Sequence, residues 1–342
     1  MRLASIEVVP YALRFREPYV TSRGTLERRE ILLVRLRTQE GIEGLGEAVP
    51  LSLRGGASLP ELTRELRESG GALGEDLSTP ARAALEMAWL DIEAKAAGTP
   101  AWQVLGATTF ESVRCNATLT AGAPEDVARR AERWGGLGFR TFKLKVGMPG
   151  DVAQVAAVRA VVGEDARLRL DANGAWSTDE AILKLRTLER HRIELAEQPA
   201  ADLADLRLVN EETAIPIAAD ESVASELDAR RAVELGACGL ATVKLSKVGG
   251  IGAAIAIGKR LRCYLSSALD GPVGIAAAAH AAQALRERGL DAGVAHGLAT
   301  QLLFTETIAA RGPDLHADQL EVPDVAGLGV EVDEAALARA RI

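Results

Sequence analysis

Apolar and polar positions alternate with period two over residues 3–9 and 30–37, the rhythm of half-buried strands. Gln39-Glu40-Gly41 then turns the chain into a third strand toward Gly44-Leu45-Gly46-Glu47, which predicts an antiparallel meander. Residues 21–24 and 51–58 read as polar or glycine-rich loops. Helices are predicted over 60–69 and from Ser78-Thr79-Pro80 to Ala97. The second has a cap residue, a proline in its first turn and Gly98 at its end. From Ser112 the rhythm becomes strand then helix, repeated. Strands are predicted at 112–118, 140–146, 167–172, 193–197, 215–219, 240–245, 263–267 and 292–296. Helices are predicted at 124–136, 151–162, 178–191, 202–212, 225–235, 249–260, 272–287 and 300–310. The pattern predicts an α/β protein: a (β/α)8 TIM-type barrel with an α+β capping domain. The expected division is capping domain 1–110, barrel 111–312, and a tail, 313–342, that returns to the capping domain.

Charge placement sharpens this picture. Lys145, Asp171, Glu197, Asp220 and Lys244 each stand at the end of a predicted strand, separated by 26, 26, 23 and 24 positions. That period is one strand, one returning helix and two loops. In a parallel barrel such residues arrive at one rim. Three carboxylates there suit a divalent cation bound by oxygen in octahedral geometry, best matched by Mg²⁺ with Mn²⁺ able to substitute. Lys143 and Lys145 alternate on one strand and so face the same side. Like charge and burial would lower their pKa toward that of a base. Lys244 would face them from across the rim, able to take or give a proton or to stabilise negative charge.

Other candidates carry less. Lys247 is expected in a loop, and Gly249-Gly250 could receive an anion at a helix start. His280 reads as packing in an alanine-rich helix, Trp176 as packing above the site, and His296 could touch substrate. Asn173 and Glu221 are expected to orient the cation's ligands from behind.

Composition excludes several classes. A net charge of −8 argues against nucleic acid as the main partner. No apolar run reaches the ~20 residues of a membrane helix, and Met1 to Glu7 shows no signal peptide. Cys115, Cys238 and Cys263, three in number, read as reduced thiols of a cytoplasmic protein. The expected partner is a small-molecule carboxylate, and a homo-oligomer is compatible with the pattern.

Taken together, Lys143-Leu144-Lys145, Asp171-Ala172-Asn173, Glu197-Gln198-Pro199, Asp220-Glu221-Ser222 and Lys244 before Gly249-Gly250 resemble the enolase superfamily in its muconate-lactonizing subgroup. Gly44-Leu45-Gly46-Glu47-Ala48 looks like that family's capping strand. The resemblance implies Mg²⁺-dependent removal of a proton α to a carboxylate through an enediolate, chemistry known for enolase-type sites. It implies Lys145 as general base, Lys244 as the opposing lysine and Lys143 as a contact to the substrate carboxylate. The loops at 21–24, with Arg23, and at 51–58 would close over substrate. Ser266-Ser267-Ala268-Leu269-Asp270 looks most like the o-succinylbenzoate synthases of menaquinone biosynthesis, which implies a lyase with Ser267 and Gly297 lining a succinyl pocket. Lys244-Leu245-Ser246-Lys247-Val248-Gly249-Gly250 looks more like the dipeptide epimerases and cycloisomerases. N-succinylamino acid racemases are a further alternative, and a barrel that only binds a metabolite is the non-catalytic one.

Overall fold

The computed structural model describes residues 1–51 and 55–342. Residues 52–54, inside the loop expected at 51–58, lie outside the described residues.

The capping sheet has the order β1-β2-β3, with β1 (Leu3–Thr21) and β2 (Gly24–Thr38) as a long hairpin and β3 (Glu43–Ala48) on the far edge. β1 runs twelve residues past the alternation read at 3–9. Pro10 hides the continuation, because a proline argues against a strand interior. Here β1 is an edge strand, where a missing N–H costs nothing. Helices α1 (Leu59–Glu68) and α2 (Thr79–Ala97) cover one face of the sheet. The two β3 glycines make this packing possible. A Cβ on Gly46 would lie 1.9 Å from the Ala84 carbonyl oxygen, and one on Gly44 2.1 Å from that of Ala88.

After α3 (Ala101–Val104) and β4 (Val113–Arg114), seven parallel strands follow in sequence order. They are β5 (Ala117–Leu119), β6 (Thr141–Lys145), β7 (Arg167–Asp171), β8 (Ile193–Glu197), β9 (Ile217–Ala219), β10 (Leu240–Val243) and β11 (Cys263–Leu265). Between and after them lie α4 (Pro124–Gly136), α5 (Asp151–Val162), α6 (Thr178–Leu188), α7 (Leu203–Glu212), α8 (Glu226–Leu235), the paired α9 (Leu245–Val248) and α10 (Ile251–Gly258), and α11 (Pro272–Glu287). The barrel strands bury both faces, as a parallel sheet wrapped by helices must.

The eighth unit departs from expectation. Residues 291–297 close the barrel through isolated bridges, Cys263 to Asp291, Ser266 to Gly297 and Cys115 to His296. Gly293, at φ +72°, breaks the extended conformation a continuous strand would need. The helix expected at 300–310 is a single 3₁₀ stretch, Ala299–Leu303, followed by β12 (Ala309–Arg311).

The tail serves both units. Its hairpin, β13 (Asp314–His316) and β14 (Gln319–Glu321), adds β4 as a third strand. Its end, β15 (Glu331–Val332) and α12 (Glu334–Ala340), pairs with β12 and returns to β1, where Arg341 bridges to Tyr11.

Candidate active site

Five ends of the parallel strands bring the charged residues to one rim. Lys143 and Lys145 sit on β6, Asp171 ends β7, Glu197 ends β8, and Asp220 and Lys244 each follow their strand by one residue. The register aligns Lys145 with Asp171 and Asp171 with Glu197 on neighbouring strands. Period-two alternation explains why Lys143 and Lys145 both turn inward while Phe142 and Leu144 join the packing outside.

All six charged groups are buried, and they satisfy one another. The Lys143 ammonium lies between two carboxylates, 2.8 Å from Asp171 Oδ2 and 2.7 Å from Glu197 Oε2. Lys145 donates to Asp171 Oδ2 at 2.6 Å and to Asn173 Oδ1 at 2.9 Å. Lys244 donates to Asp220 Oδ2. Tyr264 donates its hydroxyl to Glu197 Oε2 at 2.7 Å, and Thr242 donates to Tyr264 at 2.7 Å. Asn173 holds the rim together: it receives Lys145, donates to Glu221 at 3.1 Å and stands at φ +51°.

The electrostatics reverse one expectation. Burial is the largest single influence and pushes the pKa of Lys143 and Lys145 down, but the neighbouring negative charges together outweigh it, Asp171 foremost with Glu197 adding to it, and both lysines are held above the ordinary lysine range. The sequence argument counted the like charges and missed how closely the carboxylates approach. Burial raises Asp171 as well, but the ammoniums of Lys143, Lys145 and Lys244 hold it far below the usual carboxylate range. Glu197 is raised, first by burial and then by the charge of Asp171.

Whether this chemistry suits a divalent cation can be tested on the molecule. Among the described residues no three acids are drawn together into a ligand shell. The oxygens of Asp171 and Glu197 instead grip an ammonium between them. That shared ammonium marks a cation position between hard carboxylate donors, and Asp220 stands on the next strand with its charge held by lysines. The donor set therefore fits Mg²⁺, provided the lysines give way.

Several predicted residues stand elsewhere. Gly297 does not line the cavity: its N–H goes to Leu265 O and its carbonyl takes Ser267 N–H, closing the barrel wall. His296 is likewise in the wall, accepting Leu265 N–H on Nδ1, and burial drives its pKa down to about 3. Trp176 packs in the outer layer, donating to Asp151 Oδ2 beneath Lys184, and is not above the site. The helix start at Gly250 already receives an anion of its own, since Glu86 accepts Gly252 N–H at 2.8 Å. His280 is buried between Trp102 N–H and Leu328 O, as packing. Arg23 lines the cavity and gives Nε and Nη2 to Asn173 O at 3.1 and 2.8 Å, tying the capping hairpin to the barrel rim. Ser267 lines the cavity and donates to Asp270.

Sequence reasoning missed two residues and misplaced a third, Lys247, which it expected in a loop. Lys247 is buried on α9 and donates to Asp220 Oδ1 at 2.8 Å; its position one helical turn after Lys244 was the available signal. Tyr264 shares an inward face with Ser266, which period two could have found. Arg29, from β2, donates to Pro50 O and to Ala268 O at 2.8 and 2.9 Å across the mouth, and nothing local in the sequence foretells it.

Above the rim is a cavity of about 90 Å³. Lys143, Lys145, Lys244 and Asn173 form its floor, Tyr19, Leu26 and Pro50-Leu51 its capping wall, and Ser266–Leu269 with Thr300 its barrel wall. No helix among the described residues is long and apolar enough to cross a membrane.

The comparisons agree with this geometry. The family model "Enolase C-terminal domain-like" matches residues 126–336, and "Mandelate racemase / muconate lactonizing enzyme, N-terminal domain" matches residues 4–69. The L-Ala-D/L-Glu epimerase of Bacillus subtilis is 32% identical over 84% of this chain and 86% of its own. The o-succinylbenzoate synthase of Thermobifida fusca is 37% identical, over 54% of this chain and 60% of its own. The dipeptide epimerase structure from Enterococcus faecalis, complexed with Mg and the dipeptide L-Leu-L-Tyr, superposes with a TM-score of 0.90 at 30% identity, covering 97% of this chain and all of that one. With both its capping strands and its barrel matched, the chain belongs to the enolase superfamily of enzymes, in the mandelate racemase and muconate lactonizing division.

Proposed function

We propose that the protein is a Mg²⁺-dependent racemase or epimerase acting on the carbon α to a carboxylate. The observation that carries this reading is the pair Lys145 and Lys244, which reach one cavity from β6 and from the end of β10, with Lys143 beside them. An acceptor on each side of one carbon is what inversion requires.

When bound, Mg²⁺ would be held by Asp171, Glu197 and Asp220, would draw those carboxylates away from the lysines, and would stabilise negative charge on the substrate carboxylate. Lys145, released from Asp171 and acting as the neutral amine, takes the α-proton on Nζ, and the C–H electron pair passes into the carboxylate. Lys143 faces that carboxylate and offsets its charge. Lys244, as the ammonium, returns a proton to the opposite face, and the reverse reaction exchanges the two roles. Asn173 and Tyr264 hold Lys145 and Glu197 in place.

A second reading is the syn-dehydration that yields o-succinylbenzoate, favoured by the 37% identity to a synthase and by the Ser266-Ser267 rim. There Lys145 would take the α-proton and pass it to the departing hydroxyl, while Lys244 stayed cationic. The test is a panel of N-acylamino acids, dipeptides and the succinyl-cyclohexadiene carboxylate in D₂O, with and without chelator. Inversion with α-deuterium uptake, lost on chelation, is the expected result. Dehydration without exchange into any amino acid derivative would move the assignment to the synthase.

A further inference from the structure

The tip of the capping hairpin is built into the barrel rim. Thr21 and Gly24 pair across the turn, and Thr21 Oγ1 accepts the Arg23 N–H at 3.1 Å, which fixes the two residues between them. Both of these donate to the loop that follows Asp171. Ser22 Oγ gives to Ala172 O at 3.1 Å, and Arg23 gives Nε and Nη2 to Asn173 O at 3.1 and 2.8 Å. A Cβ on Gly147, two positions past Lys145, would lie 3.1 Å from Ser22 Cβ. The tip therefore meets two stretches beside Lys145, the turn that follows it and the loop that follows Asp171.

Asn173 is the residue this contact holds. It and Gly174 stand at φ +51° and +71°, two successive left-handed residues. Asparagine tolerates this backbone better than most residues, yet it persists where the surroundings fix it. The Asn173 N–H goes to Asp171 Oδ1 at 3.1 Å, and its carbonyl takes the two Arg23 bonds. Its side chain runs from Lys145 Nζ at 2.9 Å to Glu221 Oε1 at 3.1 Å, and Glu221 closes the ring 3.8 Å from Arg23 Nε. Lys145 bonds Asp171 and Asn173. Asp171 is the acceptor that the reading above gives to Mg²⁺; Asn173 is the one that stays.

We propose that Arg23 is a positioning residue for Lys145: from the capping domain it fixes Asn173, and Asn173 aims the base at the α-carbon. Its guanidinium is bonded to protein oxygens and does not bind the substrate. This rests on the racemase reading above, because it predicts an effect on one face of the α-carbon only. A misplacement of about 1 Å in a reacting group costs on the order of 100-fold in rate.

The test follows α-deuterium exchange from each hand of the fastest-exchanging N-acylamino acid or dipeptide of the panel, with the Mg²⁺-loaded enzyme. The Lys145→Ala protein identifies the hand that depends on Lys145. Arg23→Met should lower kcat for that hand by roughly 10- to 100-fold, with KM and the rate from the other hand unchanged. Arg23→Lys, which can keep one bond to Asn173 O, should recover part of the loss. In an Asn173→Gly protein, which accepts the left-handed backbone but offers Lys145 no amide, Arg23→Met should add nothing further. A raised KM for both hands would make Arg23 a substrate contact. An equal fall from both hands with a lower melting temperature would make the tip structural. Either result overturns the proposal, as would an Arg23→Met enzyme that matches the unaltered one, and each leaves the racemase reading standing. Exchange from neither hand in the unaltered enzyme, or from both hands through Lys145 alone, would remove the two-base reading and this proposal together.

Discussion

At the scale of single residues, the site is a balance of buried charges in which each group depends on its neighbours. Glu197 is the clearest case, since it is buried, raised in pKa and supported by Tyr264. Tyr264→Phe removes that donor while keeping the ring under Arg169, and a hydrogen bond to a charged group is worth about 1.5–3 kcal/mol. The apparent Mg²⁺ affinity should weaken by roughly 10- to 100-fold, measured by calorimetric titration. The key charged residues were legible because they recur at strand ends with one period. Tyr264, Lys247 and Arg29 were not assigned, because each acts through a partner 27 to 239 positions away that only the closed barrel brings near.

At the scale of elements, the seating of the capping sheet on α2 and the barrel rests on β3. Gly46→Ala would drive a methyl group into the Ala84 carbonyl, and the strand or the helix must shift. A loss of about 3 kcal/mol is expected, seen as a lower urea midpoint. Glu47, one position on, links the sheet to the barrel: it accepts the Tyr11 hydroxyl and, at 2.6 Å, the N–H of Gly274 in the first turn of α11. Burial pushes its pKa up from 4.5 to about 7, although the Tyr11 and Gly274 donors oppose the rise. The folded state therefore keeps a proton, between pH 4.5 and 7, that the unfolded chain has released. Stability falls as pH rises through that window, by up to ~1.4 kcal/mol per pH unit from this group. Glu47→Gln should flatten that part of the profile when urea unfolding is compared at pH 5 and pH 8. An unchanged slope would show that Glu47 ionises in the folded state as it does in the unfolded one.

At the scale of the whole molecule, the alternation of strand and helix made the barrel legible through its seventh strand. The eighth unit misled because Gly293 and the β-branched Thr305 and Thr307 follow no periodic rule, and that segment is held by bridges to β11 and Cys115 and by the returning tail. The capping hairpin was read short at Pro10 because edge position is a property of the sheet, invisible in the strand itself. The assembled molecule places a lysine on either side of one cavity, and the claim that both act on the same α-carbon, from opposite faces, is the centre of this account. The most direct measurement follows α-deuterium uptake from each enantiomer of an N-acylamino acid by Lys145→Ala and Lys244→Ala proteins of native fold. Each variant should lose inversion by at least ~10³-fold and retain exchange with only one enantiomer, opposite for the two. Loss of exchange with both enantiomers in Lys145→Ala, and retention of both in Lys244→Ala, would contradict the two-base account and leave Lys145 as the sole base.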